Sequence, residues 1–171
     1  MMGSILLYTG QAGGKTTTAF GLALRSVGHG HKVIVIQFMK GLRDTGEFKA
    51  SSRLQPELEV YQFGRSEFVN LDRPDRVDIE LARKGLMFAK EILRKKPHLL
   101  ILDEINLAAA KGLLSTSEVL ELLKQVPTET NIVLTGRFAP KELIEAADYV
   151  IEMIDRKRPV KELPARPGIE Y

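Results

Sequence analysis

Two clusters of residues in this chain have the types and spacing to act on a phosphorylated ligand. The first is Gly10-Gln11-Ala12-Gly13-Gly14-Lys15-Thr16, followed by Thr17. Its glycines let consecutive backbone N–H groups turn toward an anion, while Lys15 adds a full positive charge and Thr16 a hydroxyl suited to magnesium. Only three residues separate Gly10 from Gly14-Lys15-Thr16, so the loop is a shortened variant of the nucleotide-binding pattern. A tighter ring of N–H groups should take phosphates in a register other than the standard one. Lys15 is expected to project from the loop rather than into the core, so that removing it abolishes ATP binding and spares the fold. The second cluster is Asp103-Glu104, which ends the apolar run Leu99-Leu100-Ile101-Leu102. A carboxylate at that place holds magnesium through water. Glu104 contacts the metal, activates water or binds substrate, and the sequence leaves the three open. Lys40 and Arg137 are further candidates for phosphate contacts, and Phe68 for a substrate contact.

These residues need elements to position them, and the chain supplies apolar runs alternating with helical patterns. That alternation predicts an α/β fold with a mainly parallel sheet of about six strands. Ile5-Leu6-Leu7-Tyr8 leads into the glycine loop, and a helix follows it with Phe20, Leu24 and Val27 on one face. Gly28-His29-Gly30 stops that helix. The β-branched run Val33–Phe38 predicts a buried strand that delivers Lys40 to its carboxyl end, where open α/β sheets bind ligands. Residues 43–57 read as a polar connection with a weak helix around Glu47 to Leu54. Leu58–Phe63 alternates with period two, as an exposed strand near an edge does.

Gly64 to Pro74 forms a loop long enough to act as a lid or substrate loop, and it carries Phe68. Asp75 to Lys96 predicts a long amphipathic helix stopped by Pro97. His98–Asp103 reads as a central strand, and Ser115 opens a helix with Glu118 at the capping-box position. Asn131–Arg137 is another strand with a polar end, followed by a short helix over 140–147 and a last strand over 148–153. The whole of residues 1–171 is expected to be a single nucleotide-binding domain, with an extended tail from about 155 to 171.

Composition points to an intracellular enzyme. The chain has 171 residues, 44% apolar and 27% charged, within the ordinary range of a globular domain. It holds no cysteine, which removes disulfides, thiolate metal sites and thiol nucleophiles and suits a reducing cytoplasm. The net charge of +3 comes from lysines and arginines interleaved with acids, so no nucleic-acid partner is indicated. No apolar run reaches the roughly 20 residues of a spanning helix, so no membrane partner is expected either. The amino terminus enters the first strand almost at once, without a signal-peptide pattern.

Several stretches occur together in a recognisable order: the short loop Gly10–Thr16, Arg25 with Gly28-His29-Gly30, Gln37-Phe38-Met39-Lys40-Gly41, Leu102-Asp103-Glu104, Thr135-Gly136-Arg137, Ala147-Asp148 and the terminal Gly168-Ile169-Glu170-Tyr171. In this the chain resembles the P-loop class of ATP:cob(I)alamin adenosyltransferases, the family that also includes cob(I)yrinic acid a,c-diamide adenosyltransferases. The resemblance implies a RecA-like three-layer fold, a homodimer, magnesium, and ATP and a corrinoid as substrates. It implies that the 5′-deoxyadenosyl group passes to Co(I), that triphosphate leaves intact, and that a reductase or flavodoxin-like donor supplies the electron. Where family members present Gly-Phe-Thr-Trp near the corrinoid, this chain has Glu67-Phe68-Val69 and no tryptophan. From the residues alone, an ATP-binding switch or a phosphotransferase using the same cradle stays open as well.

Overall fold

The computed structural model describes residues 3–67, 69–157, 159, 164–169 and 171. Six strands form one sheet: β1 (Ile5–Thr9), β2 (Val33–Phe38), β3 (Leu58–Phe63), β4 (Leu99–Asp103), β5 (Asn131–Thr135) and β6 (Tyr149–Glu152). Their order is β3-β2-β4-β5-β1-β6, and each pairing is parallel. Because every pairing is parallel, the carboxyl ends of β1, β2, β4 and β5 share one edge. The fully buried β2 and β4 are continuous apolar runs because helices cover both of their faces. The alternating β3, mostly half-buried, is an edge strand, as its pattern predicts.

Helices α1 (Lys15–Val27), α2 (Gly46–Ser51), α3 (Arg76–Arg94), α4 (Ile105–Ala110), α5 (Thr116–Leu123) and α6 (Lys141–Ala146) connect the strands. Two apolar clusters form the core, one on each side of the sheet. One packs Ala82, Leu86, Ala89 and Leu93 of α3 onto Ile34, Ile36, Leu100 and Leu102; the other packs Ala19 and Ala23 of α1 onto Val35, Ile101 and Val133. Each fully buried leucine or isoleucine contributes about 1.5–3 kcal/mol through apolar area removed from water. Ser115 and Glu118 make the expected reciprocal cap at the start of α5.

Three local readings need correction. Leu24 does not share a buried face with Phe20 and Val27: it is largely exposed, because α1 meets the sheet through the small side chains of Ala19 and Ala23. The helix in the polar connection is Gly46–Ser51, shorter and earlier than its weak pattern suggests. Helix α4 follows directly on Asp103-Glu104 and has no counterpart in the sequence reading; at six residues it is too short to show periodicity, and it is held by burial of Ile105, Asn106 and Ala108.

Candidate functional site

The glycine loop runs from β1 to the first turn of α1, beside the sheet edge. Gly10 and Gly14 both have positive φ, 98° and 95°, which side chains adopt only with strain. At Gly10 a Cβ would also stand 2.3 Å from the Met153 carbonyl oxygen, so the loop rests on the chain leaving β6. The Ala12 N–H donates to that same carbonyl at 3.2 Å, which turns one of the loop's amides away from the cavity. Lys15 departs from expectation. It is 5% exposed, and its Nζ donates to the carbonyls of Gly10 at 2.8 Å and Ala12 at 2.6 Å. The ammonium lies under the loop and braces it. Burial lowers its pKa, with Glu104 acting in the opposite direction.

Below the loop, Asp103 is fully buried and collects four donors. Oδ1 accepts from the hydroxyls of Thr16 (2.9 Å) and Thr135 (2.7 Å), and Oδ2 accepts from the Gln37 amide (3.0 Å) and the Lys40 ammonium (2.7 Å). Burial alone would raise the carboxyl's pKa, but the Lys40 charge and these hydrogen bonds outweigh it and hold the group below its ordinary value. Lys40 also donates to Thr16 Oγ1 at 3.2 Å, so it joins β2 to α1 and β4 rather than standing alone at the edge. Its own pKa is raised: burial works against the charge, and Asp103 more than offsets it. The Gln62 amide donates to Gln37 Oε1 at 3.0 Å, and this orients the Gln37 amide toward Asp103.

Glu104 differs from its neighbour. It has φ 65°, held by its N–H donating to Thr135 Oγ1 at 2.9 Å. Its Oε2 is buried without a hydrogen-bond partner. Burial first, and the Asp103 charge second, raise its pKa. Backbone strain of this kind concentrates here, since Met39, Glu104 and Phe138 all carry positive φ just past the carboxyl ends of β2, β4 and β5.

These groups enclose a cavity of about 550 Å³. Ala12, Gly13, Gly14, Lys15, Thr16, Thr17, Lys40, Glu104 and Arg137 line it, which brings most of the candidate residues together. Gly10 and Gln11 are not among its lining residues, and Asp103 lies behind Thr16 and Lys40. Phe68 falls outside the described residues. Its loop is clipped to α3 by Arg65, which grips both oxygens of the buried Asp78 at 2.9 and 2.8 Å. The cavity also uses Phe20, Glu47, Leu71, Leu107, Phe138, Ile169 and Tyr171, none of which the sequence reading assigns to the site. Phe20 had a signal, one helical turn beyond Thr16; the others come from segments without periodicity. A second cavity of about 270 Å³ adjoins and shares Lys40, Glu47 and Tyr171.

A parallel sheet of this order, with a glycine loop between β1 and α1 and an acid from β4 bonded to the loop's threonine, defines a P-loop nucleotide-binding protein of the RecA-like class. The solved structure of the KaiC-like protein PH0186 from Pyrococcus horikoshii shares that fold, with a TM-score of 0.65 at 18% identity over 94% of this chain and 76% of that one. Within the class, the chain belongs to the ATP:corrinoid adenosyltransferase BtuR/CobO/CobP family, whose model matches residues 1–171. A corrinoid adenosyltransferase of a Sinorhizobium species is 36% identical over 99% of this chain and 80% of its own length. One from Pseudomonas aeruginosa is 36% identical over 99% and 84%.

Proposed function

We propose that the chain transfers the 5′-deoxyadenosyl group of ATP to Co(I) of a corrinoid in cobalamin biosynthesis or salvage, and releases triphosphate. The observation that carries the site assignment is the cavity's mixed lining, a first set made of the glycine loop, Lys40 and Arg137 and a second, apolar set of Phe20, Leu107 and Phe138. The first suits a polyanion and the second an adenosine. The cobalt of the substrate is the nucleophile. Its electron pair forms the Co–C5′ bond while the C5′–O bond breaks, and that oxygen leaves with the triphosphate. No protein nucleophile is needed, in keeping with a chain that has no cysteine.

The protein's part is to hold the leaving group and stabilise its growing charge. The loop amides and the dipole of α1 face the phosphates, with Lys15 bracing the loop from below. Arg137 and Lys40 add positive charge at the sheet edge. Magnesium fits the site: Thr16 Oγ1, Asp103 and the unpartnered Glu104 Oε2 are hard oxygen donors close together. Among the described residues no three His, Cys, Asp or Glu are grouped to hold a metal by themselves. When bound, such an ion supplies charge to the departing triphosphate. Phe68 is assigned to the corrinoid's lower face. The same reading takes in a second copy of the chain, an electron donor of the reductase or flavodoxin kind, a single domain over 1–171 and a cytoplasmic setting. Among the described residues no helix is long and apolar enough to cross a membrane.

The test is the identity of the phosphate product. With magnesium, ATP and a chemically reduced corrinoid, phosphorus NMR should show triphosphate in proportion to adenosylated corrinoid, with negligible ADP. ADP and inorganic phosphate without corrinoid alkylation would favour a nucleotide switch or a phosphotransferase instead.

A further inference from the structure

Lys40 lies just past the end of β2, after Met39 with φ 57°, and its backbone rests on the chain leaving β3. A Cβ on Gly64 would overlap the Lys40 nitrogen and the Met39 carbonyl carbon, and one on Gly41 would stand 2.6 Å from the carbonyl carbon and oxygen of Arg65. Two glycines therefore let residues 39–41 lie flat against 64–65, where side chains would force the two segments apart. The Met39 N–H donates to the Phe63 carbonyl at 3.0 Å and closes the contact at its near end. As an edge strand, β3 is paired with β2 alone, so the segment that supports Lys40 needs an anchor of its own.

Arg65 supplies that anchor. Besides its two bonds to Asp78, its Nη2 donates to Asp75 Oδ2 at 2.9 Å. Asp78 is 3% exposed and also accepts the Asp75 N–H at 3.2 Å, so the same acid fixes the start of α3 and receives the arginine. A carboxylate buried this deeply needs a charged partner, and a planar guanidinium satisfies both of its oxygens at once. The helix behind it is a fixed frame. Its Gly85 packs so closely on the sheet that a Cβ there would stand 2.9 Å from the Phe38 ring and 3.1 Å from that of Phe63. We infer that Arg65 is a positioning residue for the nucleotide: through Gly64 and Gly41 it holds the Lys40 backbone where the ammonium reaches both Asp103 and the cavity. This rests on the reading of Lys40 as a phosphate contact and adds the residue that sets it. Lysine in place of Arg65 would keep the charge but lose the fork, so the clasp would slacken.

Calorimetric titration of the full chain with magnesium ATP, without corrinoid, reads the effect. Lys40→Met should weaken ATP binding, and Arg65→Lys should weaken it about tenfold, the share of one charge-assisted hydrogen bond put out of reach. The two substitutions together separate positioning from a general loss of structure. In the Lys40→Met background Arg65→Lys should cost no further affinity, because the residue it positions is gone. A merely structural role would weaken binding by the same factor in both backgrounds. Asp75→Asn loosens the exposed arm of the clasp while keeping a good N-cap for α3, and should give the same pattern with a smaller loss, so the proposal is tested even where Arg65→Lys disturbs folding. Equal losses in the two backgrounds, or full affinity in both Arg65→Lys and Asp75→Asn, would overturn the positioning role and leave Lys40 as a phosphate contact. ATP affinity unmoved by Lys40→Met would overturn the phosphate reading of Lys40, and the positioning role with it.

Discussion

Replacing Asp103 by asparagine changes little in volume and much in hydrogen bonding. The native carboxylate accepts from four donors, two hydroxyls, an amide and an ammonium. An asparagine amide has one accepting oxygen and one NH2 donor. Turned toward the hydroxyls of Thr16 and Thr135, the NH2 can be accepted by them, since a hydroxyl rotates. Turned the other way it meets the Gln37 and Lys40 donors. In either orientation Lys40 loses its counter-charge. Removing one member of a buried ion pair costs about 3–5 kcal/mol. Asp103 is 0% exposed but Lys40 is 29% exposed and recovers some hydration, so the lower end, about 3 kcal/mol, is expected here.

At the size of this chain that loss lowers Tm by roughly 6–12 °C. Urea unfolding followed by circular dichroism at neutral pH measures it directly. The gap between the two proteins should close in acid. Asp103 has a depressed folded pKa, so its contribution is present above the unfolded value, about 3.9, and is lost as pH falls through the folded one. Lys40→Met should suppress most of the cost of the aspartate change, leaving a coupling between the two sites of about 1–3 kcal/mol. A loss under about 1 kcal/mol at neutral pH, or additive effects of the two substitutions, would refute the view that Asp103 and Lys40 form the site's buried ion pair.

Other expectations follow from the same geometry. Lys15→Ala should remove ATP binding and also lower stability by about 1–3 kcal/mol, because the carbonyls of Gly10 and Ala12 lose a charged donor; isothermal titration and thermal melts separate the two effects, and unchanged ATP affinity would remove Lys15 from the site. Glu104→Gln should unfold like the wild type below about pH 4 and be the more stable protein at neutral pH, since a raised folded pKa gives stability that is lost as pH rises through it; urea midpoints across that range decide the sign. Gly10→Ala should cost at least about 2 kcal/mol, because φ is 98° and the new Cβ meets the Met153 carbonyl, whereas Gly13→Ala, with nothing within 4 Å, should leave the melt unchanged.

The linear pattern was enough to read the class of fold and the floor of the site. Continuous apolar runs in Val33–Phe38 and Leu99–Asp103 mark strands covered on both faces, and the short glycine loop and Asp103-Glu104 are contiguous in the chain. Such features depend on local spacing, which a sequence carries in full. It did not show which groups meet across strands. That Lys40 pairs with Asp103, that Gln62 orients Gln37, and that Thr135 bonds both Asp103 and the Glu104 amide depend on strand order and register. Glu47, Phe138 and Tyr171 reach the cavity from segments without periodicity. The sequence places Lys15 on a loop, from which its side chain is expected to project rather than enter the core; only the folded loop, presenting two carbonyls within 2.8 Å, makes its buried position favourable.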